Sequence, residues 1–274
     1  MKNLVKKLML AAMTLSLGLV GVTASVQAQD SESPVLDKIK ADGKIVLGTS
    51  ADFPPFEWHL VEDGQDTIVG FDIDIAQAIA DALEVELVVE DMNFDSLVAA
   101  VKTGRVDMVM AGMNPTEERK KEVDFSDIYY QSGFVALVPA DKVGDYADFN
   151  DIANLKVGVQ KGTSQEAFVN ETLTEAEITS MPKNDALIAA MMTNRLDAII
   201  IDKIVGEQFV SVNPDIAIAN FEVPHEEDGT AIAIAKGNEA LLVEIQAVLD
   251  ELTESGEIEE LFIKNIDLMA GSVE

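Results

Sequence analysis

The chain has 274 residues, 48% of them hydrophobic, with no cysteine and a formal net charge of −31. The apolar content is that of a packed globular protein, and the missing cysteines exclude a disulfide scaffold, a thiol enzyme and a cysteine-ligated zinc protein. So negative a surface repels nucleic acid and anionic lipid.

Lys2, Lys6 and Lys7 precede an apolar, uncharged run from Leu8 to Val22. Val26-Gln27-Ala28 then gives a small-x-small cleavage pattern, so residues 1–28 read as a secretory signal peptide. The run is short for a spanning helix, which needs about 20 residues. The signal carries three of the 19 basic residues and no acid, leaving 16 − 50 = −34 on the mature chain. No cysteine is there for lipid attachment, so a periplasmic or secreted protein is expected.

Next, Lys44–Thr49 predicts a buried strand, Asp72–Leu83 an amphipathic helix and Val85–Val89 a strand. Asp95–Thr103 predicts a helix stopped at Gly104, followed by a strand over Val106–Ala111 and a helix over Pro115–Lys121. Tyr129–Val138 reads as one long extended run. A second set of units follows: strand Lys156–Val159, helices Ser164–Asn170 and Asp185–Thr193, strand Asp197–Ile201 and helix Ile204–Val212. Thr230–Ala235 is extended again, and helices near Asn238–Thr253 and Glu257–Asn265 end the pattern. Strand–helix alternation of this kind implies parallel βαβ units.

An internal repeat organises these elements. Leu97–Asp107 reads LVAAVKTGRVD and Leu187–Asp197 reads LIAAMMTNRLD. Each copy is a helix, a Gly or Asn stop, and the start of an apolar strand, which implies two lobes of similar design. The expected division is lobe 1 from residues 29–135 and 232–274, with lobe 2, residues 136–231, inserted and joined by two strands. Such a hinge places a ligand in the crevice between lobes.

The segment GFDIDIAQAIA from Gly70 matches the signature of the family 3 solute-binding proteins for polar amino acids, as do GTSADFPPFEW (Gly48–Trp58), AGMNPTEERKKEVDFSDIYY (Ala111–Tyr130), QKGTSQE (Gln160–Glu166) and IIIDK (Ile199–Lys203). The chain resembles that family over essentially its whole mature length. The resemblance implies an α/β, two-lobed periplasmic-binding-protein fold (type II), each lobe a mostly parallel sheet flanked by helices, with a two-strand hinge. It also implies the binding component of an ABC importer for a polar amino acid, glutamine or arginine/lysine first, working with a membrane permease and ATPase subunits. A monomer without cofactor, catalytic residue or metal is expected.

By the same resemblance Arg119 clamps the ligand α-carboxylate and Asp202 pairs with the α-ammonium. Gly112 accepts from the ammonium, and Asn114, Thr163 and Ser164 donate to the carboxylate. Phe53 and Phe94 wall the ligand side chain, which Ser50, Asp52 and Gln160 touch. Arg suits the carboxylate because its planar fork bonds both oxygens, and facing rings suit an amide or guanidinium. Read without the family, Arg119 pairs with Glu118 or Glu122 on a helix surface, Thr163 is a plain N-cap, and Phe94 is core. Asp72 and Asp74 read as structural, capping a helix. His59 and His225 read as residues of polar loops without a metal site. Competing readings are a ligand-presenting sensory protein and a cyclohexadienyl-dehydratase-like enzyme on the same fold.

Overall fold

The computed structural model describes residues 33–225 and 228–271; the expected signal peptide lies outside them. Two five-stranded mixed sheets form the frame. The first runs Glu86–Asp91, Lys44–Thr49, Met108–Val109, Ala233–Ala235, Val123–Phe125. The second runs Glu177–Met181, Lys156–Gln160, Ala198–Asp202, Phe134–Pro139, Ile216–Ile218. In each, three adjacent strands are parallel and the remaining two join antiparallel.

The strand KIVLGT shows why both faces must be covered. Ile45 and Leu47 join one buried cluster with Leu36, Ile75, Ile79 and Leu241, all from helices. Val46 points the other way, into a cluster with Leu97, Val101 and Met113. An apolar run without polar alternation is the mark of such a strand. The second sheet repeats the arrangement. Ile199 and Ile201 face Leu187, Val205 and Phe209, while Ala198 and Ile200 face Phe149, Val169 and Val157.

The repeated sequence does the same work twice. Asp107 N donates to Val46 O at 2.8 Å, and its Oδ2 accepts from Val46 N at 2.9 Å. Asp197 makes the same pair with Lys156, at 2.8 and 3.1 Å. The helix stops are left-handed in both copies, at Gly104 (φ 71°) and Asn194 (φ 56°). Gly48 packs against Val106 and Leu97, and Gly158 against Leu196 and Leu187. The repeat thus docks one helix on one strand in each sheet.

Several sequence expectations change. Tyr129–Val138 is two strands, Tyr130–Ser132 and Phe134–Pro139, and Thr230–Ala235 divides likewise into Asp228–Thr230 and Ala233–Ala235. Each run leaves a sheet and enters a ribbon, so one straight strand cannot serve both. Tyr130–Ser132 and Asp228–Thr230 pair antiparallel to make that ribbon. The hairpin of Asp52–Phe53, Glu57–Glu62 and Gln65–Val69 and the short strands Val123–Phe125 and Ile216–Ile218 also stand where no sequence pattern placed them.

Asp72 and Asp74 cap no helix; Gly70 stands at the N-cap. Asp74 bonds Lys264 at 2.8 Å and Asn265 at 2.6 Å, tying the last helix to this one. His59 is on a strand, 2.9 Å from Asp66. His225 does stand in a loop, but its ring stacks on Phe134 at 4.0 Å and meets Phe168 edge-on, inside an aromatic group.

Candidate functional site

A cleft of about 330 Å³, its open mouth included, lies between the two sheets. Phe53, Phe94, Ala111, Gly112 and Asn114 line it from one side; Gln160, Thr163, Gln165, Asn184, Ile200 and Ile201 line it from the other. It sits at the ends of parallel strands, where α/β sheets hold ligands.

Two rings are held in the first wall. Phe53 follows the bend after Lys44–Thr49 and packs on Phe56 at 5.4 Å. Gly112, at φ 58°, lies so near Phe53 that a Cβ there would stand 2.3 Å from the ring. Only glycine combines that conformation with that approach. Phe94 is buried in the cluster with Leu97 and Val101 and also lines the cleft.

Arg119 belongs to the short helix Glu117–Lys120, whose N-cap Thr116 accepts from Arg119 N. Its guanidinium bonds two backbone carbonyls. Nη1 donates to Asn114 O at 2.8 Å and Nη2 to Gly162 O at 2.9 Å, and Cζ stands 5.1 Å from the centre of the Phe94 ring. The second bond crosses the cleft. Ser164 Oγ also crosses, donating to Asn114 Oδ1 at 2.8 Å. Thr163 is an N-cap, accepting from Glu166 N, and its Oγ1 donates to Gln160 O at 2.7 Å. At Gly162 the second side meets backbone: a Cβ there would lie 3.0 Å from Asp95 Cα.

A second hydrogen-bonded group surrounds Asp52, which is buried. Its carboxylate accepts from Ser50 Oγ at 3.1 Å and from Asn184 N across the cleft. Asn184 Nδ2 reaches Gln160 Oε1 at 3.3 Å. Burial pushes the Asp52 carboxyl up to about 6, against the pull of Lys183 4.0 Å away.

Asp202 ends the strand Ala198–Asp202 and caps the next helix, accepting from Ile204 N at 3.0 Å and Ser132 Oγ at 2.9 Å. Burial raises its carboxyl to about 7. Ser132 lies in the ribbon, so this acid is wired to the hinge strands. Asn114 is wired to them too, through Gly229 O at 3.1 Å.

Of the residues expected around a ligand, Phe53, Phe94, Gly112, Asn114, Gln160 and Thr163 line the cleft. Arg119, Ser164, Ser50 and Asp202 stand outside that lining, in the hydrogen bonds just given. Asn184 and Gln165 line it without having been expected. Gln165 adjoins the Thr163-Ser164 pair, but Asn184 has no motif and is recognisable only through its bonds to Asp52 and Gln160.

Fold and cleft together define a two-lobed binding protein with its ligand site between the lobes. The chain belongs to the bacterial extracellular solute-binding proteins, family 3, which it matches over residues 45–267. It is 39% identical over 223 residues to the arginine-binding extracellular protein ArtP of Bacillus subtilis (strain 168), covering 80% of this chain and 84% of that one. The crystal structure of the amino acid ABC transporter substrate-binding protein AbpA from Streptococcus pneumoniae, bound to L-arginine, superimposes with a TM-score of 0.83 at 37% identity, covering 87% of this chain and 99% of that chain. The ancestral amino acid-binding protein AncCDT-1, a precursor of cyclohexadienyl dehydratase, superimposes with a TM-score of 0.77 at 32% identity, covering 84% and 99%. No helix among the described residues is long and apolar enough to cross a membrane.

Proposed function

We propose that the cleft binds one free polar amino acid, arginine or glutamine first, and that the lobes shut on it. Family membership makes the chain the extracellular binding component of an amino-acid ABC importer, which delivers its ligand to the transporter's membrane subunits. The observation that carries the reading is the pairing of two phenyl rings, Phe53 and Phe94, with amide and hydroxyl groups of Asn114, Gln160, Thr163 and Asn184 in one cleft. Rings grip a flat polar end, and the amides and hydroxyl fix its orientation.

In this reading a ligand carboxylate takes the place of the Gly162 carbonyl on Arg119, and Ser164 and Thr163 add donors at a helix N-terminus. The ammonium pairs with Asp202 and the Gly112 carbonyl. Arg119 and Asp202 hang on different sheets, so only a shut cleft satisfies both charges, and binding shifts the population towards closure. We assign the protein no catalysis and one chain per working unit. The relatives whose names state arginine favour that ligand over glutamine.

The test is thermal unfolding of residues 29–274, freed of carried ligand by unfolding and refolding, with each standard amino acid. A ligand at ~1 mM with a Kd of ~1 μM stabilises by about 4 kcal/mol, a rise of roughly 8–16 °C for a chain of this size. No shift with any amino acid sinks the reading and makes the dehydratase assay the next experiment.

A further inference from the structure

Lys183 stands in the loop between the strand Glu177–Met181 and the helix Asn184–Met192, and its side chain reaches over to the opposite wall of the cleft. Nζ donates to Asp91 Oδ1 at 2.7 Å, to Ser50 Oγ at 3.4 Å and to Met92 O at 3.5 Å, and lies 4.0 Å from Asp52 Oδ1. Its neighbour Asn184 binds Asp52 through the backbone and lines the cleft. Lys183 and Asn184 therefore enclose the Asp52 carboxylate from the second lobe. None of the residues lining the cleft carries a charged side chain, and the acids nearest the Gln160–Asn184 part of it already have a cation supplied by the protein.

We infer that Lys183 is a specificity-determining residue, a built-in cation that offsets Asp52 and Asp91 and so reduces the preference of the cleft for a cationic over a neutral polar side chain. The inference rests on the amino-acid reading above. A positive ligand end beside Asn184 meets the attraction of the buried Asp52 and of the part-exposed Asp91 and Asp185, and the repulsion of one ammonium, and the Asp52 effect is the strong one because that carboxylate is shielded from water. A neutral amide end feels neither strongly. Lys183 also holds the lobes together, so its loss weakens closure on every ligand. That part is common to all ligands and cancels in a ratio of affinities, whereas the charge effect does not.

The experiment is titration calorimetry with L-arginine and L-glutamine on the wild type and on Lys183→Met, with Lys183→Arg as the charge-retaining control. The ratio of arginine to glutamine affinity should rise about tenfold or more in Lys183→Met, stay near the wild-type value in Lys183→Arg, and fall back when Asp52→Asn is added to Lys183→Met. Equal losses for both ligands in Lys183→Met would show a lobe latch only and overturn the inference while leaving the function intact. A wild type that binds no amino acid would overturn the function and the inference with it.

Discussion

Glu57 and Asp72 are two fully buried carboxyls close together in the core, near enough for the charge of Asp72 to act on Glu57. Neither Glu57 oxygen has a hydrogen-bond partner among the described residues. Asp72 accepts from Tyr129 Oη at 2.8 Å and Gly112 N at 3.5 Å. Burial favours the protonated form of a carboxyl that finds no partner. It raises Glu57 well above the usual carboxylate range, with the charge of Asp72 adding to the effect, and raises Asp72 to about 6.

The folded chain therefore holds protons that the unfolded chain releases near pH 4. This pair is at its most favourable below that pH, and its contribution is lost as pH rises towards the folded-state values. Glu57→Gln removes the ionisation and keeps the shape. Its melting temperature should exceed that of the wild type at pH 8, with the gap closing or reversing by pH 4. A gap independent of pH would show that Glu57 holds no proton in the folded chain.

As the proposed partner of the ligand ammonium, Asp202 should make the affinity itself depend on pH. With its carboxyl raised to about 7 by burial, the acid is largely protonated at pH 5.5 and must ionise to pair with an ammonium. Amino-acid affinity should fall as pH drops below about 7, and binding near pH 6 should release a proton, visible by calorimetry in two buffers of different ionisation enthalpy. Asp202→Asn should weaken binding by roughly 30-fold or more at pH 8 and abolish the proton release.

Arg119 spans the cleft with two directed bonds, to the carbonyls of Asn114 and Gly162. Lysine keeps the charge but has a point donor where the guanidinium has a planar fork. Arg119→Lys should fold normally and lose about 100-fold in amino-acid affinity by fluorescence or calorimetric titration. An affinity within about threefold of the wild type would remove Arg119 from the proposed carboxylate clamp.

The repeated aspartates allow a comparison within one molecule. Asp107 and Asp197 each accept from a strand N–H, that of Val46 and that of Lys156, but the Asp107 side chain is 2% exposed and that of Asp197 30%. Water can replace the second and not the first. Asp107→Ala should cost about 1–3 kcal/mol by denaturant unfolding, and Asp197→Ala distinctly less.

Much of this was readable in the chain. The apolar strand KIVLGT and the two LVAAVKTGRVD-like units announce themselves because burial on both faces and helix stops leave a local pattern, whereas Phe53 and Phe94 are singled out only by the family resemblance. The strand at Val123–Phe125 does not, being three residues paired only with a partner more than a hundred positions away. The split of Tyr129–Val138 at Gly133 is hidden for the same reason, since each half pairs with a strand far along the chain, Asp228–Thr230 for one and Ala198–Asp202 for the other. Asn184 and Lys183 belong to the cleft through contacts across the two lobes, which no spacing along the chain encodes.

The ribbon of Tyr130–Ser132 on Asp228–Thr230 is three residue pairs long. Two strands side by side form a flat spring, soft to bending across the face and stiff to shear within it. The lobes should therefore swing apart like a book and not slide past each other, with the mouth moving far and the spine little. A stiffening change at the exposed Gln131 would slow the opening stroke and lengthen the lifetime of whatever is held inside.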